Sequence, residues 1–87
     1  MRLVWSRRSL QRLAQLAERA PVQARLVQQS VEVLVRSPFP GMYRRVESGR
    51  SDEHVLSVRP HAVFYVVKGD TLTVLTIVDS RRRREPW

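Results

Sequence analysis

The sequence predicts an α+β domain: an N-terminal strand, then an antiparallel two-helix hairpin packed on one face of a mainly antiparallel β-sheet. Three observations predict it. Two successive stretches carry apolar residues at helical spacing and are separated only by Pro21. A β-branched and aromatic run, Ala62–Val67, meets a second one, Thr71–Val78, across Lys68-Gly69-Asp70. The chain has 87 residues, enough for one domain, 1–87, with one modest core. Such a domain buries roughly 60–65% of its unfolded surface, so its stability is marginal unless a partner covers more apolar area.

Leu3-Val4-Trp5 is short and apolar and reads as the first strand. Ser6 follows as a helix N-cap, because its hydroxyl can accept from the free amides of the first turn. Leu10, Leu13, Ala14 and Ala17 then fall at i, i+3, i+4, i+7, with Leu16 beside them and Arg8, Arg12 and Arg19 opposite. This predicts an amphipathic helix over 7–19. Pro21 fits the first turn of a second helix, where its missing N–H is not needed. That helix, 22–36, carries Ala24, Val27, Val31, Leu34 and Val35 on one stripe, widened by Leu26 and Val33. Ser37-Pro38-Phe39-Pro40-Gly41 stops it.

Residues 37–53 form a long polar connection, a length that usually means function or disorder. A strand resumes from Glu53 to Arg59, and Pro60 breaks or bulges it. With Gly69-Asp70 as a two-residue loop, hairpin positions pair when their numbers sum to 139. Phe64 then opposes Leu75, and Ala62 opposes Ile77. On the other face Val63 opposes Thr76, Tyr65 opposes Val74 and Val67 opposes Leu72. Both faces are apolar, and the helices can cover only one. Sheet curvature, loop residues such as Phe39 and Met42, or a protein partner would close the other.

The formal net charge is +8, from 16 basic and 8 acidic residues, and Lys68 is the only lysine. Arginine suits bidentate contact with phosphate or carboxylate. A GC-rich genome would raise arginine everywhere. It would not cluster Arg81, Arg82, Arg83 and Arg84 in a basic C-terminal tail, 80–87, or place Arg44, Arg45 and Arg50 in the longest loop. A cationic edge beside a hairpin attracts polyanions or acidic protein segments. No cysteine is present, which removes disulfides and thiolate metal sites and is compatible with a reducing cytosol. Apolar runs are too short for a membrane span, and no apolar h-region follows the first residues. No Gly-rich phosphate loop, His/Asp/Glu metal cluster or nucleophile motif is present, so no cofactor and no metal is expected.

The order strand, helix, helix, long loop and three antiparallel strands resembles the RelE/ParE superfamily of toxins from type II toxin–antitoxin modules. Val4-Trp5-Ser6 before a basic helix, and Ser37-Pro38-Phe39-Pro40-Gly41 after the second helix, carry the resemblance. So do Val58-Arg59-Pro60-His61-Ala62-Val63-Phe64-Tyr65-Val66-Val67, the turn Lys68-Gly69-Asp70 and the strand Thr71–Val78 leading to a basic end. The resemblance implies a cytoplasmic toxin held in a hetero-oligomeric complex by a cognate acidic antitoxin, a partly disordered segment that folds on it. RelE-like members look like ribosome-dependent mRNA endonucleases. ParE-like members look like inhibitors of DNA gyrase that cut no RNA.

Nucleolytic members use lysines and arginines, usually with a tyrosine or histidine near the C-terminus. This chain has no lysine cluster, and neither histidine nor tyrosine lies beyond Tyr65. Arginine stabilises a phosphorane but is a poor base at neutral pH. The ParE-like, non-catalytic reading is therefore preferred, with gyrase as target. The alternatives are a nuclease acting on the ribosome and its mRNA, with Arg59, His61 and Arg81 as its site and His54 as another displaced acid/base, or a non-toxic basic module that binds nucleic acid or a partner. Antitoxin and target contacts are expected from Arg44, Arg45, Arg50, Arg59, Tyr65 and Arg81 to Arg84. A histidine on a strand, such as His61, is more often a hydrogen-bonded structural residue than a base, and Tyr65 among apolar neighbours is more often core than catalytic.

Overall fold

The computed structural model describes residues 1–36, 44–45 and 53–82. The side chains of Arg44, Arg45 and Arg82 are not among what it describes. Strand β1 (Arg2–Trp5) leads into helices α1 (Arg7–Arg19) and α2 (Pro21–Arg36). Strands β2 (Arg44–Arg45), β3 (Glu53–Val58), β4 (His61–Lys68) and β5 (Thr71–Asp79) follow, and a 3₁₀ turn, Ser80–Arg82, ends the described chain. The strands form one sheet in the order β1-β5-β4-β3-β2. β1 runs parallel to β5, and the other neighbours are antiparallel. The predicted loop 37–53, with Phe39 and Met42, otherwise lies outside the described residues.

Ser6 caps α1 as its sequence position predicts: its Oγ accepts from the Ser9 amide at 3.1 Å. Its Oγ–H in turn donates to the carbonyl of Leu75 at 2.8 Å, and its amide donates to the carbonyl of Val74 at 3.0 Å. Ala20 alone links the helices. Its amide donates to the Leu16 carbonyl, and its own carbonyl accepts from Ala24. Pro21 then opens α2 without giving up a needed donor.

The buried stripe of α2 is Ala24, Val27, Val31 and Leu34, with Val35 half-buried; it is narrower than expected, since Leu26 and Val33 are exposed rather than widening it. The stripe of α1 is rotated from the expected one. Ser9 and Leu16 are buried and Leu13 is half-buried, whereas Leu10, Ala14 and Ala17 are exposed. Two stripes one residue apart compete on this helix, and the Ser6 tether selects the one containing Ser9. A serine is small enough for close approach to the sheet, and its hydroxyl is satisfied by donating to the Ser6 carbonyl at 2.9 Å.

The β4–β5 hairpin follows the expected register next to its turn, with Lys68 opposite Thr71, Val67 opposite Leu72 and Tyr65 opposite Val74. Gly69 has φ +57, and no other described residue has positive φ. That combination fits a II′ hairpin turn, whose first central position calls for glycine. Beyond Tyr65 the register departs from the expected one. Phe64 opposes Thr76, Val63 opposes Ile77, Ala62 opposes Val78 and His61 opposes Asp79. Leu75 is thus the extra residue of a β-bulge.

The physical reason lies in the alternation of β5. Strict period two would carry the core face from Leu72 and Val74 to Thr76. The bulge carries it to Ile77, which is buried while Thr76 is not. The Leu75 carbonyl at the bulge is the one that receives the Ser6 hydroxyl. A consequence is that the outer sheet face is less apolar than expected. Its cross-strand pairs include Phe64–Thr76, Val66–Thr73 and Ala62–Val78, all half-buried, and Lys68–Thr71, whose lysine is exposed.

The core fills the space between the helices and the other face. Leu16, Ala24, Val27, Val31 and Leu34 meet Leu56, Val58, Val63, Tyr65, Leu72, Val74 and Ile77. Leu3, Trp5, Leu13, Ala20, Val35 and Val67 pack at its margin.

Candidate functional site at the end of the sheet

β3 ends, β4 begins and β5 ends at the same end of the sheet. The register brings together there Arg59, His61 and Arg81. Arg59 is exposed on the turn between β3 and β4. His61 is buried, at 7% exposure. Arg81 follows β5 on the 3₁₀ turn, with its side chain 71% exposed.

Arg81 is committed to a local partner. Its Nε and Nη2 donate to Oδ1 and Oδ2 of Asp79 at 3.2 and 3.1 Å, and its amide donates to Oδ1 at 2.9 Å. These donors hold the Asp79 carboxyl down at about 2, chiefly through the side-chain hydrogen bond of Arg81. The pairing also raises the Arg81 guanidinium further above its ordinary range. Ser80 between them ties the turn down: its amide and its hydroxyl donate to the Pro60 carbonyl at 2.8 and 2.6 Å.

His61 is held by a residue that sequence reasoning missed. Nε2 of Gln23, on α2, lies 3.2 Å from His61 Nδ1, 3.2 Å from the Val58 carbonyl and 3.1 Å from the Arg59 carbonyl. The two carbonyls favour the amide with its nitrogen toward the ring; that nitrogen shares two N–H among three acceptors and cannot itself accept, so the contact suits an Nδ1 without a proton, as in the Nε2–H tautomer. Burial lowers the His61 pKa; Asp79 opposes that shift, and Arg81 and Arg19 add to it. A neutral ring whose basic nitrogen is occupied is a structural joint between α2, the β3–β4 turn and β4. Its burial and the Gln23 amide beside Nδ1 limit access of a substrate proton to that nitrogen.

Tyr65, Arg44 and Arg45 lie away from this end. Tyr65 is 1% exposed, in the core, with its ring centroid 5.4 Å from that of His54. Arg44 and Arg45 occupy β2 at the sheet edge, in register with Val55 and His54. Arg82 lies on the 3₁₀ turn, and Arg50, Arg83 and Arg84 lie outside the described residues. Asp79 and Arg19 join Gln23 as members that the sequence reading missed. The Asp-Ser-Arg spacing offers a signal for the first, since Asp commonly turns its side chain back on the backbone two residues on. Gln23 offers none, being one polar residue beside a core position.

Among the described residues no group of three or more His, Cys, Asp or Glu could hold a metal ion. No described helix is long and apolar enough to cross a membrane.

This fold, with its basic sheet end and arginine-rich exit, is that of a small toxin of the RelE/ParE type. The family model described as "ParE toxin of type II toxin-antitoxin system, parDE" matches residues 3–85, and the chain belongs to that family. Solved structures agree on the fold. A YoeB/ParE toxin from Agrobacterium tumefaciens superposes with a TM-score of 0.76 at 18% identity, over 88% of this chain and 95% of that one. The YoeB dimer from Staphylococcus aureus gives 0.72 at 8% identity, over 87% and 92%. A conserved hypothetical protein from Helicobacter pylori gives 0.59 at 16% identity, over 88% and 91%. No match was found among curated proteins. The chain is the toxin component of a type II toxin–antitoxin system, and its family implies an antitoxin partner.

Proposed function

We infer that this toxin arrests growth by acting on DNA gyrase in the cytoplasm, without cutting RNA, and that an acidic cognate antitoxin neutralises it. The observation that carries the gyrase reading is the engagement of His61. The nuclease reading would use it as a base, yet the ring is buried at 7% exposure with its Nδ1 facing the Gln23 amide, and burial lowers its pKa and so its basicity. Arg81, the cation that reading would place on the phosphate, is already paired with Asp79. Arg59 and Arg81 to Arg84, Arg81 being 71% exposed despite its pairing, are the cationic surface offered to the target, with Arg44, Arg45 and Arg50 as a second group.

Two features support an acidic antitoxin that folds on the toxin. Leu10, Val22, Leu26 and Val33 are exposed on the two helices, and the chain carries +8. A partner helix with apolar and acidic faces would cover the first and neutralise the second. The test is induction in a sensitive bacterial host without antitoxin, scoring DNA damage and filamentation against loss of translated mRNA. Filamentation with intact mRNA is expected. Rapid codon-proximal cleavage abolished by His61→Ala would make the chain a ribosome-dependent nuclease instead.

A further inference from the structure

We propose that Gln23, His61 and Asp79 form a proton-operated latch that closes this end of the sheet when His61 is neutral and opens when it takes up a proton. The inference stands apart from the choice of cellular target.

The latch joins three elements that are distant in sequence. Gln23 reaches down from α2 and donates to the Val58 and Arg59 carbonyls, beside its contact with His61 Nδ1. His61 opens β4 directly opposite Asp79, the last residue of β5. Asp79 holds Arg81, and Ser80 between them is pinned to Pro60. Among the described residues, the charged groups that act on the ring are Asp79 from β5, Arg81 from the 3₁₀ turn and Arg19 from α1.

An incoming proton goes to Nδ1, the nitrogen that carries the lone pair in the Nε2–H tautomer. Nδ1–H then points at the Gln23 amide nitrogen, donor against donor, at a separation now 3.2 Å. Flipping the amide presents Oε1 to the ring but turns it against the carbonyls of Val58 and Arg59. Neither orientation keeps all three contacts. The new imidazolium also attracts Asp79, so it competes with Arg81 for that carboxylate. Burial and the positive charges of Arg19 and Arg81 oppose protonation, which keeps the latch shut at neutral pH.

The sign follows from linkage. His61 binds its proton less readily in the folded chain than in the unfolded one. Stability is therefore complete above the ordinary histidine value of about 6.5 and falls as pH drops below it. The folding equilibrium constant declines by up to about tenfold per pH unit until the folded-state pKa is reached.

The test follows the full chain by NMR from pH 7.5 to 5, with urea unfolding at each pH. The latch predicts a His61 ring titrating below 6.5, with the Gln23 side-chain amide and the backbone of 59–61 and 79–81 shifting on the same curve. His61→Asn keeps an oxygen acceptor for Gln23 but cannot titrate, and should remove that step in stability. Gln23→Leu should lower stability at pH 7.5 and uncouple the backbone of 59–61 from the His61 titration; it gives an independent reading should His61→Asn fail to fold. A His61 that titrates at or above 6.5, or whose titration leaves the Gln23 amide unmoved, overturns the latch. So does an acid step that persists unchanged in His61→Asn, or a backbone of 59–61 that still follows the His61 titration in Gln23→Leu.

Discussion

Ser6 offers the sharpest test of how the fold is assembled, because one hydroxyl serves two elements. It caps α1 through the Ser9 amide and satisfies the carbonyl of Leu75 at the bulge of β5. Replacing a serine cap by alanine costs about 1 kcal/mol. Leaving a carbonyl without its donor costs about 1–3 kcal/mol when buried, and less here because Ser6 is only half-buried. Ser6→Ala should therefore lose about 2–3 kcal/mol. At about 4–8 °C per kcal/mol for a domain of this size, the melting temperature should fall by about 10–20 °C.

Two further substitutions separate the roles. Glycine is tolerated as an N-cap at a cost of a few tenths of a kcal/mol, so Ser6→Gly should lose about 1–2 kcal/mol, mostly from the Leu75 bond. Ser6→Thr keeps donor and acceptor and should stay within about 0.5 kcal/mol of the parent chain. Urea unfolding followed by circular dichroism measures all three. Ala and Gly variants indistinguishable from the parent would refute the argument that Ser6 pins the bulge.

Arg81→Ala should release the Asp79 carboxyl from about 2 toward its ordinary 3.8. A depressed carboxyl stabilises the fold above its unfolded value and loses that contribution as pH falls from 3.8 through 2. The variant's melting temperature should thus change less than the parent's between pH 4.5 and 2; an identical acid profile would show that the pair contributes nothing. The cognate antitoxin's acidic segment should raise the melting temperature in proportion to the logarithm of its concentration, an effect that salt weakens. A melting temperature that does not respond to it would contradict an antitoxin docking on the exposed helix residues and arginines.

The sequence made the fold class and most of the element boundaries legible. Proline and serine positions mark both helix starts, and the stripe of α2 has no rival. Two misreadings share one origin. On α1 two stripes one residue apart were nearly equivalent, and on β5 either Thr76 or Ile77 could follow Val74 on the core face. Both ambiguities are resolved by Ser6, whose side chain bonds across 69 positions in sequence. The sheet-end site was legible in part. Arg59, His61 and Arg81 fall at one end of the sheet, but the groups in contact with His61 and Arg81 there are Gln23 and Asp79. Those two matter through a helix-to-strand contact and a strand register, neither of which a local pattern encodes.

The proposed target of this ParE-family chain is DNA gyrase rather than translated mRNA. Purified chain added to a gyrase supercoiling reaction tests it most directly, alongside a parallel translating extract probed for mRNA cleavage. The account predicts loss of supercoiling that the antitoxin reverses and that alanines at Arg81 to Arg84 weaken, with mRNA left intact. Unimpaired supercoiling together with cleavage of translated mRNA would contradict it.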